Sequence, residues 1–423
     1  MIPLTKKLMT PPVPLKTSQE VRQALLDQQE IALLDVREED TFAQAHPLFA
    51  ANLPLARLTM DARRRIPRLD TLVVVYDNGE SLAQSAAQTL QQLGYSQVAM
   101  LAGGLQGWQQ AGGEVFKDVN VPSKAFGELV DAQRHTPMLS AQEVKALLEA
   151  QANVVVLDAR RFDEYQTMNI PTSISVPGAE LVLRAAALAP DPATRIIVNC
   201  AGRTRSIIGT QSLVNAGIRN PVAALRNGTI GWTLAGQELS HGASRRGSAV
   251  SESQRGAAAQ RARAVADRAD VKRALPADVA RFGSETSRTT YCLDVRTPEE
   301  YVLGHLPGFA SAPGGQLVQE TDVTLPVRGA RVLLADLDGV RANMTASWLA
   351  QMGWDVWVLD GLQGTDFSET GQLPPPVPPS PHRYRRPYEG TDNPHEAMQG
   401  YLDWEYGLVV QLARDGTHGF HVI

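Results

Sequence analysis

Cysteine is scarce in this sequence: only two occur among 423 residues, Cys200 and Cys292. Two cysteines cannot build the disulfide framework of a small secreted domain or a zinc site made of thiolates. The eight histidines also lack the spacing that metal ligands show. These scarcities exclude disulfide-stapled and zinc-bound folds, and each cysteine has to be judged by its own surroundings.

Long apolar runs are lacking as well. Residues 1–15 carry some positive charge but no apolar stretch typical of a signal peptide, and no later run is long enough to cross a membrane. The net charge of -5 argues against a dedicated nucleic-acid-binding protein. We therefore expect a cytoplasmic protein that binds neither nucleic acid nor a membrane. The length suits roughly three domains, each with enough apolar residues for a core.

Cys200 lies in the most informative stretch of the chain, residues 196–209. A short apolar run at its start predicts a buried parallel strand, and residues 201–205 predict a tight loop before a helix. Backbone N–H groups and the helix dipole converge in such a loop and make a cradle for an anion. With Arg203 and Arg205 beside it, the thiol is expected to have a lowered pKa and to act as a nucleophile.

The same structural unit occurs three times along the chain. A Leu-Asp-x-Arg landmark appears at residues 34–37, 157–160 and 293–296, each time followed by a helix start, a second apolar strand, a helix and a third strand. Strands alternating with helices at this spacing predict an α/β fold, with parallel sheets that carry helices on both faces. Ligands of such sheets bind at the carboxyl ends of the strands, where Cys200 falls.

The repeat sets the expected domain boundaries. We predict domains at residues 15–116, 138–240 and 275–373, joined by linkers, and a Pro-rich spacer with a helical tail at residues 374–423. In the second linker, residues 255–273 have helical composition, and a solvated helix is favoured over a connector or a lid. The tail helix, residues 395–414, carries several aromatic residues, so it is expected to dock on its own chain or across a homodimer.

The combination of motifs resembles the rhodanese (sulfurtransferase) domain. It comprises the Leu-Asp-x-Arg landmark, a later Pro-Gly turn, the cysteine loop after the second long strand and a Gly-x-x-Gly-Trp end at residues 228–232. The resemblance covers most of residues 15–373 as three consecutive copies and implies a multidomain sulfurtransferase. By this resemblance Cys200 forms a persulfide, and the substrate is bound by its active-site loop, which comprises Ala201, Gly202, Arg203, Thr204, Arg205 and Ser206.

Only the middle copy keeps the cysteine. Asp77 stands at its place in the first copy and Asp336 in the third. A carboxylate cannot carry a persulfide and would repel an anionic donor, so these two copies are expected to be inactive. The Asp and Arg of the landmark, by contrast, recur in all three copies, which predicts a structural ion pair or a strand-end cap rather than a catalytic role. Cys292 takes the place of core residues of the other copies and is expected to be a buried hydrophobic residue.

The resemblance implies a two-step reaction. The Cys200 thiolate takes the outer sulfur of an anionic donor such as thiosulfate, and cyanide or a thiol then removes it, with ping-pong kinetics and with no metal or organic cofactor. Thr204 and Ser206 are expected to donate hydrogen bonds to the terminal sulfur. Two alternatives remain. The protein could be a sulfur carrier or scaffold that delivers persulfide to a protein partner, or a cysteine-dependent phosphatase or arsenate reductase. The last class has five residues between Cys and Arg, whereas four separate Cys200 from Arg205.

Overall fold

Three β-sheets, one for each copy of the repeat, form the framework of the chain. The structure is a computed structural model that describes residues 12–371, 373 and 380–423. Most of the predicted Pro-rich spacer, residues 374–379, lies outside the described residues, as do residues 1–11. All strand pairs but one are parallel, and helices cover the sheets, so the predicted α/β class is confirmed.

The first repeat contributes five strands in the order β1-β5-β4-β2-β3. Its strands are β1 (Leu15–Lys16), β2 (Ile31–Asp35), β3 (Ala51–Asn52), β4 (Leu72–Tyr76) and β5 (Val98–Leu101). Its helices are α1 (Ser18–Leu26), α2 (Glu39–Phe42), α3 (Leu58–Arg65), α4 (Leu82–Gln92) and α5 (Gly104–Gln110), and α6 (Val121–Arg134) leads to the second repeat. The central strands are apolar on both faces because helices cover both sides.

The second repeat forms a five-stranded sheet in the order β6-β10-β9-β7-β8. Its strands are β6 (Met138–Leu139), β7 (Val154–Asp158), β8 (Ile174–Ser175), β9 (Arg195–Asn199) and β10 (Val222–Leu225). Its helices are α7 (Ala141–Glu149), α8 (Phe162–Thr167), α9 (Leu181–Leu188), α10 (Thr204–Asn215) and α11 (Gly228–Leu234), followed by α12 (Glu252–Arg268). Strand β9 lies at the centre of this sheet, so the loop after it opens at the middle of the carboxyl edge.

The third repeat repeats that order as β11-β16-β15-β12-β13. Its strands are β11 (Lys272–Ala274), β12 (Thr290–Asp294), β13 (Ala310–Ser311), β14 (Val327–Arg328), β15 (Arg331–Ala335) and β16 (Asp355–Leu359). Its helices are α13 (Pro276–Ser284), α14 (Pro298–Leu303), α15 (Gly314–Gln319), α16 (Thr321–Thr324) and α17 (Arg341–Gln351), and α18 (Pro394–Asp415) forms the tail. Strand β11 precedes residue 275, so this sheet begins before the expected domain boundary.

The first and third repeats share a sheet. Strand β14 leaves its own repeat and pairs antiparallel with β2 of the first, with Val327 opposite Ala32. Both residues are fully buried. Nothing in the repeat pattern predicts this exchange, because β14 is two residues long and lies between the repeat's landmarks. The pairing joins the first and third copies into one packed unit.

The two linkers are packed helices. Helix α6 lies in the first linker and packs against α10 of the middle repeat. Helix α12 packs against α9 and α17, and it buries a face that consists of Ala258, Ala262, Val265 and Ala266. The preference for a solvated helix was therefore wrong. Small alanine side chains let α12 approach both neighbours closely, and their modest hydrophobicity hid the buried face from the sequence pattern.

The tail docks on its own chain. Helix α18 packs against α6 and α11, and Leu402, Leu408 and Leu412 are buried along it. Its predicted extent, residues 395–414, agrees with the observed Pro394–Asp415. Of the two docking modes left open by the sequence, the structure has the one within a single chain. A homodimer stays a prediction.

The recurring Asp–Arg landmark is a buried ion pair in every repeat, as predicted. The distance from Arg Nη2 to Asp Oδ2 is 2.6 Å for Arg37–Asp35, 2.7 Å for Arg160–Asp158 and 2.6 Å for Arg296–Asp294. Each arginine also donates to a backbone carbonyl eight residues further on, which ties the strand end to the following helix. Among the described residues, no helix is both long enough and apolar enough to span a bilayer.

Candidate active site

Cys200 is the first residue after β9 and lies at the floor of the loop that leads into α10. Its side chain is 2% exposed. Its carbonyl oxygen accepts a hydrogen bond of 2.9 Å from the backbone N–H of Thr229, at the start of α11. Gly228 makes this approach feasible, because its φ is +56° and a Cβ there would lie 2.3 Å from the Cys200 oxygen. Helix α11 thus fixes the floor of the loop.

The loop presents a row of unoccupied donors. Among the described residues, no acceptor takes the backbone N–H groups of residues 201–205. Helix α10 begins at Thr204, so these groups lie at the positive end of a twelve-residue helix. Converging N–H groups of this kind bind anions. The predicted anion cradle therefore has backbone donors without an acceptor in the described part of the chain, and residues 201–205 line the cavity beside Cys200.

The prediction of a lowered thiol pKa was wrong. Burial raises the pKa of Cys200 above its ordinary value, although the charge of Arg205 and the hydrogen bonds that Ser206 can make to the thiolate oppose the rise. The thiol donates to Ser206 Oγ over 3.4 Å, and that hydroxyl donates to the Arg203 carbonyl over 2.8 Å. Desolvation of the buried thiol therefore outweighs the charge of Arg205 and favours the protonated form.

The Arg203 guanidinium is bound by other side chains. It donates to Glu128 over 2.7 and 2.8 Å, to Asp131 over 2.9 Å, to Tyr406 over 2.8 Å and to Asn227 over 3.2 Å. These bonds use all five of its N–H groups. The sequence predicted that Arg203 binds the substrate. In the structure only its backbone N–H has no acceptor among the described residues, so only that group is available to an anion. Its side chain fastens the loop to α6 and α18.

The Arg205 side chain is somewhat more exposed than that of Arg203 and is bound by fewer protein groups. Two of its N–H groups bind Glu164 over 2.7 and 3.0 Å, whereas its Nε meets no acceptor in the described part of the chain. Burial opposes ionisation of Glu164, but the charge and hydrogen bonds of Arg205 prevail and lower the pKa of Glu164 to about 2. Arg386 lies 3.5 Å from the same carboxylate. Glu164 therefore fixes the position of the Arg205 guanidinium, a cation that lines the same cavity as the thiol.

Thr204, Ser206 and Gly202 each contact a different part of the structure. The Thr204 hydroxyl is buried with no partner among the described residues, whereas that of Ser206 is engaged with Cys200 and Arg203. Gly202 lies against the tail, since a Cβ there would be 3.1 Å from Glu405 Oε2 and 3.5 Å from the Tyr401 ring. A larger residue at 202 would push α18 away from the loop.

The cavity above Cys200 has a volume of about 190 Å³ and is lined by more than the middle repeat. Helix α6 supplies Lys124, the third repeat supplies Glu320, and the tail supplies Arg386 and Glu405. None of these four was predicted. The only signal for them was the aromatic tail, which was expected to dock but not at the cysteine. The described residues include no cluster of three or more His, Cys, Asp or Glu that could hold a metal ion.

In the third repeat the equivalent loop is filled by its own carboxylates. Asp336, at the place of Cys200, accepts the N–H of Gly339 over 3.0 Å and of Ala342 over 2.8 Å. Asp338, at the place of Gly202, accepts the N–H of Val340 over 2.8 Å and both the N–H and Nε of Arg341, over 3.0 and 2.6 Å. The donors of the third loop already bind two carboxyl groups of the same repeat.

The loop of the first repeat is filled in a similar way. Asp77 accepts the N–H of Gly79 over 2.9 Å, of Leu82 over 2.6 Å and of Ala83 over 2.9 Å. Glu80 accepts a further loop N–H over 2.6 Å. Both copies without the cysteine therefore bind side chains where the middle copy has free donors.

Cys292 lies in β12 of the third repeat. It is half-buried, not fully buried as expected, and packs against the apolar cluster of its own sheet. Burial raises the pKa of its thiol to about 11. Its environment is that of a packing residue.

Comparison with known proteins agrees with the repeat. The family model for the rhodanese-like domain matches residues 17–111, 140–235 and 278–361. Over 97% of this chain and 100% of the other, the fold is similar to the crystal structure of a thiosulfate sulfurtransferase from Pseudomonas aeruginosa, with 56% identity and a TM-score of 0.94.

Two curated relatives match shorter segments. The centrosomal protein of 41 kDa from Xenopus tropicalis is 33% identical over 81 residues, which are 18% of this chain and 22% of that protein. An uncharacterized protein from Synechocystis is 34% identical over 108 residues, 25% of this chain and 56% of the relative. The chain thus spans about a fifth and about half of the lengths of these relatives, which share a domain with it.

Proposed function

This chain belongs to the rhodanese-like domain family, and from that premise we propose that it is a thiosulfate sulfurtransferase with its active site at Cys200. It takes a sulfane sulfur from an anionic donor such as thiosulfate and holds it as a persulfide on Cys200. A thiol or cyanide acceptor then removes the sulfur, so that the kinetics are ping-pong. The high identity to a solved thiosulfate sulfurtransferase supports this activity.

One observation supports placing the active site at the loop of the middle repeat. Its N–H groups have no acceptor among the described residues, whereas the loops of the first and third repeats bind carboxyl groups at equivalent positions. The carboxylates of the third loop indicate how an anion is held. The Asp336 carboxyl group takes the position that the Cys200 sulfur has in the middle loop, and it accepts from the equivalents of the Arg203 and Ser206 N–H groups. The Asp338 carboxyl group takes the position that we assign to the sulfonate of the donor.

By this correspondence the donor sulfonate accepts hydrogen bonds from the backbone N–H groups of Thr204 and Arg205 and from Arg205 Nε. These are the equivalents of the three groups that Asp338 accepts from in the third repeat. The N–H groups of Ala201 and Gly202 complete the rim. The sulfonate keeps its charge throughout, and the fixed donors stabilise the sulfite that leaves.

The chemistry follows in two steps. The Cys200 thiol first loses its proton to solvent, and the thiolate attacks the outer sulfur of thiosulfate. The sulfur–sulfur bond of the donor breaks, and sulfite departs with the bonding electron pair. In the second step the acceptor attacks the outer persulfide sulfur, the new sulfur–sulfur bond on the enzyme breaks, and Cys200 leaves as a thiolate.

The test is the intact mass of the protein after incubation with thiosulfate, before and after a reductant. Wild type is expected to gain the mass of one sulfur atom and to lose it to the reductant, whereas Cys200→Ser gains nothing. Cys292→Ser is the matched control, because it removes the other thiol, and it should load like wild type. A gain by Cys200→Ser, or none by wild type, would contradict the proposal.

A further inference from the structure

Glu405 is the acidic group that α18 places at the Cys200 loop. Its side chain is 1% exposed, and its Oε2 is buried with no hydrogen-bond partner in the described part of the chain. Its other oxygen, Oε1, accepts the Tyr401 hydroxyl over 3.2 Å. A buried carboxylate oxygen that lacks a partner is costly, so such groups are retained where a ligand or a proton uses them.

The free oxygen faces the reactive loop. Oε2 lies 3.1 Å from the place where a Cβ would stand on Gly202, and Glu405 lines the same cavity as Cys200. Because residue 202 is glycine, no side chain separates this oxygen from the loop. A small molecule that takes sulfur from Cys200 would enter this cavity, which Glu405 also lines.

We propose that Glu405 accepts the proton of a thiol that enters this cavity to take sulfur from Cys200. The inference rests on the proposed sulfurtransferase function and adds to it the residue that takes the proton of a thiol acceptor. The thiol S–H bond breaks, and the proton goes to Glu405 Oε2. The resulting thiolate attacks the outer sulfur of the persulfide, whose sulfur–sulfur bond breaks and leaves Cys200 as a thiolate. Glu405 then releases its proton to water.

The electrostatic surroundings suit a proton acceptor. Burial raises the pKa of Glu405 to about 7, although Lys124 opposes the rise. A base with a pKa near the working pH is partly ionised and still basic enough to take a proton. The groups that face it are Lys124 and Glu128 from α6, Arg203 and Cys200 from the loop, Tyr388 from the segment before α18, and Tyr401.

The experiment separates the two half-reactions. Wild type, Glu405→Gln and Glu405→Asp are loaded with thiosulfate, freed of donor and mixed with either 2-mercaptoethanol or sulfite. Sulfite at pH 8 carries no proton that must be removed, so it reports transfer without a base. Asp403→Asn is the matched control, because it removes an exposed carboxylate from the same helix.

We expect Glu405→Gln to load normally and to pass sulfur to sulfite within about twofold of the wild-type rate. Transfer to 2-mercaptoethanol at pH 7.5 should fall about 100-fold, since a general base contributes about that factor or more. The deficit should shrink towards none at pH 10.5, where the thiol is already ionised. In wild type the thiol rate should fall as the pH drops below about 7, and Glu405→Asp should keep that pH dependence at a lower rate.

The outcomes are distinguishable. If wild type fails to load, the proposed function fails and this inference with it. If wild type loads but Glu405→Gln passes sulfur to both acceptors at wild-type rates, the proton goes to solvent and only the inference is overturned. Equal slowing with both acceptors would also overturn it, because that result indicates a role in shaping the loop.

Discussion

The middle and third repeats have the same sheet order, the same buried Asp–Arg pair and the same kind of loop, but their loops are occupied differently. After β9 the loop donors have no acceptor in the part of the chain that the structure describes, whereas after β15 they bind Asp336 and Asp338. The third loop is thus stabilised by hydrogen bonds to its own carboxyl groups. The middle loop forgoes that stabilisation, and its donors remain available for an anion from solution.

The comparison also shows which contacts of Arg205 are common to both repeats and which are specific to the middle loop. The Arg205–Glu164 pair recurs in the third repeat as Arg341–Glu300, so the pair belongs to the scaffold that both repeats share. What differs is Nε: that of Arg341 binds Asp338 over 2.6 Å, whereas that of Arg205 meets no acceptor among the described residues. The two loops therefore differ in the carboxyl group of Asp338, which stands at the place of Gly202, and in Asp336, which stands at the place of Cys200.

The largest effect is expected when a carboxyl group is introduced at position 200, where it can bind the donors of the middle loop. In Cys200→Asp the carboxylate should accept the same N–H groups that Asp336 accepts, whereas in Cys200→Ser the cradle stays empty. Neither variant can load sulfur. We expect Cys200→Ser to bind thiosulfate and Cys200→Asp to bind it at least about 100-fold more weakly, because a fixed anion repels the donor and occupies its hydrogen bonds.

Isothermal titration with thiosulfate measures this difference at one ionic strength. Cys200→Asn serves as the control, since it has the shape of Asp without its charge and should bind more tightly than Cys200→Asp. Equal affinity of the Ser and Asp variants would mean that thiosulfate does not bind in the loop.

A smaller effect is expected when Arg205 is replaced. Arg205→Ala removes one charge-assisted hydrogen bond to the sulfonate, worth about 1.5–3 kcal/mol, so the KM for thiosulfate should rise by about tenfold or more. Arg341→Ala is the matched control in the third repeat, and it should leave this KM unchanged. Steady-state kinetics with varied thiosulfate measure both. An unchanged KM in Arg205→Ala would place the sulfonate elsewhere.

The sequence alone was sufficient for the repeat, the parallel sheets, the Asp–Arg pairs and the position of Cys200 after a central strand. These features depend on local patterns of apolar and turn residues that occur three times. The sequence did not indicate that β14 joins the first sheet or that α12 is buried, because a two-residue strand and an alanine face leave little periodic signal.

The surroundings of the thiol could not be predicted either. Glu405 lies more than two hundred positions after Cys200, and nothing local to either residue indicates that they share a cavity. The same holds for Arg203, whose acidic partners Glu128 and Asp131 are on the linker helix α6. The loop sequence predicts an anion cradle, but the tertiary contacts determine which arginine is free and whether burial raises or lowers the thiol pKa.

The smallest effect on chemistry is expected at Arg203. Arg203→Ala leaves Glu128 buried without its cation, and removal of one partner of a buried pair costs about 3–5 kcal/mol of stability. The KM for thiosulfate should nevertheless change by no more than about threefold, since all five side-chain N–H groups of Arg203 bind protein groups. Urea unfolding and steady-state kinetics on the same preparation separate the two effects. The double variant with Glu128→Gln should recover part of the lost stability, because it removes the unpaired charge. If Arg203→Ala instead raised the KM as much as Arg205→Ala, both arginine side chains would bind thiosulfate. The conclusion from the third loop, that only the Arg205 side chain does so, would then be wrong.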